Sequence, residues 1–362
     1  MPDTPTPPVN PYRPPQQPGS AIPPLPVGDR KTLIIVMGIL SIVAGLGLGC
    51  LGGIYAALPA ILAHAPPEAQ AGNPMDSPLM RSMMGMGGAF LVVTAVALTW
   101  LGIGAIRLRR WAGDLFLAGG WLFGVMFLLG ILVTLFRIPE TMAAMNAQFE
   151  VSGKGAQPEQ MKAMVPVILV FSMLFTVVFY LLPPLTVILV FRLKSVKQTF
   201  AHYSRGPSWT ERLALPVLIW WLWLATMCVS SLIMVPIGGT LYQSMGLVKE
   251  SWQASAWMGA FAVFTGIVAW AVMAKKEWSW YASLAFTLAM GAMGWIFVGK
   301  MDIVELYRKM GMSEEQIKPM AAMYENGLAY KLPGLIMLAG LIIFLIVTKR
   351  FYRTSEAEEA YS

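Results

Sequence analysis

FRLKSVKQTFAHYSRGPSWTERLALPV, residues 191–217, carries the densest basic cluster away from the chain ends. A long, strongly apolar half lies on each side of it. The two halves repeat the same order of features. The stretch therefore reads as a polar loop joining two membrane-embedded halves, and the rest of the chain is organised around it.

Composition supports this reading. The chain has 362 residues, 57% hydrophobic and 12% charged, with a net charge of +7. Soluble domains carry about a quarter charged residues, so the imbalance points to a membrane protein. No basic stretch is interleaved with aromatics in a polar context, which gives no support to nucleic-acid binding. Cys50 and Cys228 both sit inside apolar runs and read as buried thiols rather than a disulfide framework.

Eight uncharged runs of at least 17 residues occur: 32–63, 82–106, 115–136, 163–191, 213–248, 251–274, 278–299 and 332–348. A membrane-crossing helix needs about 20 apolar residues. Runs this continuous lack the alternation of a membrane barrel, and helices satisfy every backbone group internally. The expected fold is an all-α, polytopic membrane bundle of eight transmembrane helices. Lys and Arg divide 16 to 10 between the two faces, and the faces net +8 and −1. The positive-inside rule then places both termini and the 191–217 loop in the cytoplasm.

The expected organisation is a disordered Pro-rich cytoplasmic tail over 1–31, a first four-helix half over 32–200, a cytoplasmic linker over 201–212, a second half over 213–350 and a cytoplasmic tail over 351–362. Eleven prolines within the first 26 residues prevent helix in the tail. The tail reads as a spacer, with docking to a groove that takes proline-rich peptides as the minor alternative. Arg109, Arg110 and Trp111 in the first half answer Lys275, Lys276, Glu277 and Trp278 in the second. Glu159 and Lys162 answer Glu315 and Lys318. The offsets shrink from 181 to 167 to 156–158 along the chain, as longer loops in the first copy would produce. Four helices per copy is an even number, so the copies run parallel about an axis along the membrane normal.

Several local features carry expectations. Gly45, Gly49 and Gly53 form two overlapping GxxxG units, which let helix backbones approach closely. Residues 80–86, MRSMMGM, hold four thioethers that can ligate Cu(I); filling irregular apolar space is the more ordinary role. Pro183 and Pro184 remove two amide donors and leave the carbonyls near Phe179 and Tyr180 without their usual partners. The resulting break serves packing or lines a cavity beside Tyr180. The segment 301–330 reads as an amphipathic pair, with Glu305 and Lys309 paired at i, i+4 and a capping box over 313–316. The candidate outer-face or cavity residues are Glu159, Lys162, Tyr180, Pro183, Pro184, Glu315 and Lys318.

The runs hold no Asp, Glu, Lys, Arg or His, which argues against proton relays, voltage sensors and ion-coupled pumping. No phosphate-binding loop or dinucleotide fingerprint occurs, and no metal, cofactor or catalytic site is expected. Ser208 to Arg212, running into Leu215, Pro216, Val217 and Leu218, resembles a loop of uncharacterised bacterial multi-spanning inner-membrane proteins. Those proteins tend to carry cysteines in this loop. Here Phe200 and Leu213 or Ala214 stand instead, so any chemistry of those thiols is lacking. The resemblance implies a bacterial inner membrane and no particular activity. The expected function is a non-enzymatic membrane component that binds a membrane-protein partner or lipid, with basic loops suited to anionic headgroups. The alternative is a transporter or facilitator of a small neutral or amphipathic molecule, with its cavity between the halves.

Overall fold

The computed structural model of the chain describes residues 29–63, 78–136, 138, 142, 158–204, 208–244, 248–300, 303–309, 314, 317 and 327–352. These residues are helical almost throughout, and no strand occurs among them. In chain order the helices are α1 (Lys31–Ala63), α2 (Pro78–Ile106), α3 (Arg110–Phe136), α4 (Pro158–Thr176), a π-helical turn (Val177–Leu181), α5 (Leu182–Arg192), α6 (Lys194–Tyr203), a 3₁₀ turn (Trp209–Arg212), α7 (Leu215–Ser244), α8 (Ser251–Met273), α9 (Glu277–Lys300), α10 (Ile303–Lys309) and α11 (Gly327–Thr348).

Seven stretches among the described residues are helical, long and apolar enough to cross a membrane. Six lie in or along α1, α2, α3, α7, α8 and α11. The seventh, Met164–Arg192, runs through α4, the π turn and α5. The eighth expected crossing, 278–299, falls on α9, which is 24 residues long. It is not among the seven. Its first turns carry Trp278, Ser279, Trp280, Tyr281 and Ser283, whose polar atoms lower the mean hydropathy of the helix. The Pro-rich tail lies outside the described residues except for its last three positions. The boundary expected at 200 falls within α6, and helix continues past 350 to Tyr352, which is buried.

Each half opens with a tightly packed antiparallel hairpin, α1 on α2 and α7 on α8. The first is a seam of small residues at seven-residue spacing. Gly38 faces Gly102, Gly45 faces Ala95 and Thr99, and Gly52 faces Gly88. A Cβ on Gly38 would lie 2.8 Å from the Gly102 carbonyl oxygen, and one on Gly52 would lie 2.8 Å from that of Gly88. Apolar surface gives no drive for helix association in lipid, so contact this close supplies it through packing. Ser41 adds a cross-helix hydrogen bond from its Oγ to the Leu98 carbonyl, 2.8 Å. The seam follows a heptad, and the expected GxxxG register is corrected: Gly49 makes only ordinary contact and Gly53 faces open space. Cys50, expected to be buried, is exposed on the side of α1 away from the seam.

α2 and α3 are joined by a turn in which Leu108 has φ 51°; α8 and α9 are joined by one in which Lys275 has φ 52°. The turns share one ladder of bonds. Leu108 N–H donates to Ala105 and Arg109 N–H to Gly104; Lys275 N–H donates to Val272 and Lys276 N–H to Ala271. This is the Schellman closure of a helix C-terminus, which normally takes glycine at the left-handed position.

The halves meet where α7 packs on α2 and α3. Leu115 and Ala118 of α3 join one buried cluster with Val217, Leu218 and Trp220 of α7 and with α8, α9 and α11 residues. A second cluster fills the first half around Ile34, Phe116, Ile188, Phe191 and Phe200.

The 191–217 stretch is built into the bundle. α6 is amphipathic and buries Val196, Thr199 and Phe200. The Thr199 hydroxyl accepts from the Arg30 backbone N–H, and the Tyr203 hydroxyl donates to Asp29. The start of α1 is thereby fixed to α6. Ser208 and Glu211 form a reciprocal capping box on the 3₁₀ turn, Thr210 donates to Asp114 Oδ2 of α3, and Arg110 bridges Glu211 at 2.8 Å.

Candidate functional site

A cleft of about 350 Å³ opens among α7, α9 and α11. It lies within the second half rather than between the halves. Three features of the sequence produce it. Gly291, Gly294 and Gly334 leave the facing helices without side chains there. Met227, Met290 and Met337 line the wall with flexible thioethers, which adapt to irregular shapes. Trp223 and Trp295 also line it.

A Cβ built on Gly291 would meet Leu338 at 2.5 Å, so α9 and α11 touch at that point. A Cβ on Gly294 or on Gly334 would meet nothing within 4 Å. The cleft therefore widens beyond the Gly291 contact. Its lining is almost wholly apolar. Among the described residues Thr287 is its one hydroxyl, which already donates to the Ser283 carbonyl at 2.9 Å, and no charged side chain lines it.

The cleft is held from its basic end by buried hydrogen bonds. The Trp220 indole N–H donates to Ser283 Oγ at 2.8 Å, tying α7 to α9. The Trp280 indole donates to the Leu345 carbonyl at 2.7 Å, tying α9 to α11. Lys349 lies over the Trp280 ring at 4.5 Å and the Tyr281 ring at 5.2 Å. These ties fix the α7, α9 and α11 ends together while the glycines keep the far part open.

The sequence candidates are scattered by comparison. Glu159 and Lys162 fall in the first turns of α4, their side chains outside the described set; Glu315 and Lys318 lie outside the described residues altogether. Tyr180 is exposed in the π turn, with its ring 5.3 Å from that of Phe127. Pro183 and Pro184 open α5. The break they impose is taken up as a π turn, in which the Leu182 N–H reaches back to the Val177 carbonyl. Pro184 is buried, and its carbonyl backs onto Gly120 of α3. The prolines thus bend this crossing against a glycine face. Arg308 pairs with Glu305 and with Glu314, each at 2.8 Å, and Lys309 sits 3.8 Å from Glu305, as the i, i+4 spacing suggests.

Sequence reasoning missed the cleft. Its signal was present as Gly291, Gly294 and Gly334, small residues on two helices of the same half. No group of three or more His, Cys, Asp or Glu positioned to hold a metal occurs among the described residues. No family model, curated protein or solved structure matches the chain.

Proposed function

We propose that the protein is a non-enzymatic, multi-pass membrane component that binds a lipid, or another molecule with an apolar chain, in the α7–α9–α11 cleft. The observation that carries this reading is the cleft itself. Its 350 Å³ lies within the roughly 300–1,000 Å³ of ligand pockets, with an apolar lining and no charge to desolvate among the described residues. The reading includes a bacterial inner membrane, eight crossings in two parallel four-helix repeats and both termini in the cytoplasm. The matching turns at Leu108 and Lys275 support the repeat. The basic residues of α6, the two turns and Lys349 favour anionic headgroups at that face. A membrane-protein partner on the lipid-facing helices is compatible with the same architecture.

The second reading, a facilitator for a small neutral or amphipathic molecule, is favoured by the π turn before Pro183 and Pro184, since such bulges often mark functional positions. Changing both prolines to Ala would then abolish flux in proteoliposomes while leaving the fold intact.

Native mass spectrometry of protein extracted gently from its own membrane tests the first reading. A lipid or apolar molecule retained at fixed stoichiometry supports it. A second protein retained in its place would transfer the function to partner binding, and a bare chain contradicts lipid binding.

A further inference from the structure

Away from the cleft, at the basic end of the first half, α3, α6 and the 3₁₀ turn enclose a cavity of about 190 Å³. Four charged side chains line it: Arg110, Asp114, Lys197 and Glu211. Leu117, Phe191 and Phe200 supply apolar walls. Two of the charges satisfy each other, because Arg110 Nη1 bridges Glu211 Oε1 at 2.8 Å and Arg110 Nη2 donates to the Ala201 carbonyl at 2.9 Å.

The remaining groups are not closed. Asp114 Oδ2 accepts from Thr210, while Lys197 acts on Asp114 through space and forms no ion pair with it. One cavity therefore presents a cation and a carboxylate that form no ion pair with each other, with apolar wall behind them. Charge-assisted hydrogen bonds are the strong ones, so this arrangement suits a ligand that carries both signs of charge.

We infer that this cavity takes a phosphoethanolamine group. Its phosphate oxygens would sit against Lys197, and its ammonium against Asp114. A wholly anionic ligand would leave Asp114 opposed to like charge, and a simple cation would leave Lys197 so opposed. The volume equals that of about six waters at ~30 Å³ each, which suits a group of this size. The group can belong to phosphatidylethanolamine entering from the bilayer or to a soluble phosphoethanolamine compound. The inference is independent of the lipid proposed for the α7–α9–α11 cleft.

The test is native mass spectrometry of the full chain in detergent, titrated with phosphatidylethanolamine, phosphatidylglycerol and water-soluble glycerophosphoethanolamine. Wild type should prefer phosphatidylethanolamine to phosphatidylglycerol about tenfold, the effect of one charge-assisted contact. Asp114→Asn keeps an acceptor for Thr210 and should erase that preference. Lys197→Gln should weaken both lipids about tenfold, while Lys194→Gln, a lysine outside the cavity lining, should change neither. Thermal melting of each variant separates lost binding from lost fold. Competition by glycerophosphoethanolamine supports the chemistry with a soluble source, and its absence alongside lipid preference supports a bilayer source. Equal binding of both lipids by wild type, or a preference that survives Asp114→Asn in a folded protein, would overturn the assignment.

Discussion

Leu108 and Lys275 hold the same left-handed backbone position, φ 51° and 52°, in two helix-to-helix turns closed by the same hydrogen bonds. In each turn a tryptophan follows three residues later, Trp111 and Trp278. The side chains at the left-handed position differ, yet the backbone solution is common.

Those two positions should respond oppositely to glycine. Lys275 is half-exposed, so Lys275→Gly should relieve left-handed strain and raise stability by about 1 kcal/mol. Leu108 is buried, and Leu108→Gly should lower stability, because a lost buried leucine costs ~1.5–3 kcal/mol, more than the strain relieved. Melting temperatures in detergent read both. Parallel effects would count against the shared-turn account.

The α1–α2 seam makes a position-by-position prediction. Gly38→Leu, Gly45→Leu and Gly52→Leu should each separate the hairpin and destabilise the protein by about 2 kcal/mol or more, because backbone carbonyls stand where the new Cβ must go. Gly47→Leu and Gly53→Leu face open space and should be tolerated. Expression level and thermal melting of the five variants check the heptad register against a four-residue one, under which Gly53 would be the intolerant position.

Trp220 is almost fully buried and its indole bonds Ser283. Ser283→Ala leaves that N–H unpaired and should cost about 0.6–1.7 kcal/mol, the range of interhelical hydrogen bonds in lipid. Trp220→Phe in the same background should cost little beyond its own packing loss. A double-mutant cycle by melting measures the coupling, and additive effects would show that the bond does not tie α7 to α9.

Orientation is tested by accessibility. A cysteine placed at Gly153 should react with an impermeant maleimide in intact cells, in a background with Cys50 and Cys228 replaced, and one at Ser204 should not. The reverse labelling would contradict a cytoplasmic α6.

Much of the fold was legible because lipid simplifies the code: uncharged length alone locates α1, α2, α3, α7, α8 and α11. Two helices tested that rule. α9 turns polar groups inward, its Ser283 hydroxyl accepting from the Trp220 indole and its Trp280 indole donating to the Leu345 carbonyl, and those residues lower its hydropathy below that of the seven. Pro183 and Pro184 read as a break, and the backbone absorbs them in one π turn within a continuous crossing. The candidate sites were less legible. Attention to paired charges pointed to Glu159 and Glu315. The cleft instead arises from what Gly294 and Gly334 omit, and the Asp114 cavity from charges more than eighty residues apart in sequence that meet only through α6 and the 3₁₀ turn. Neither a missing side chain nor a long-range meeting has a local signature.

The central claim is that the α7–α9–α11 cleft holds an apolar chain. Gly294→Leu and Gly334→Leu add bulk to the cleft at positions where a Cβ meets nothing within 4 Å, and Gly259→Leu adds the same bulk elsewhere at such a position. The deciding measurement is lipid retention by native mass spectrometry in these three variants and wild type, at matched melting temperature. Loss of the retained species in the two cleft variants, with retention in Gly259→Leu, is the predicted result. Equal retention in all four proteins would contradict the cleft as the binding site.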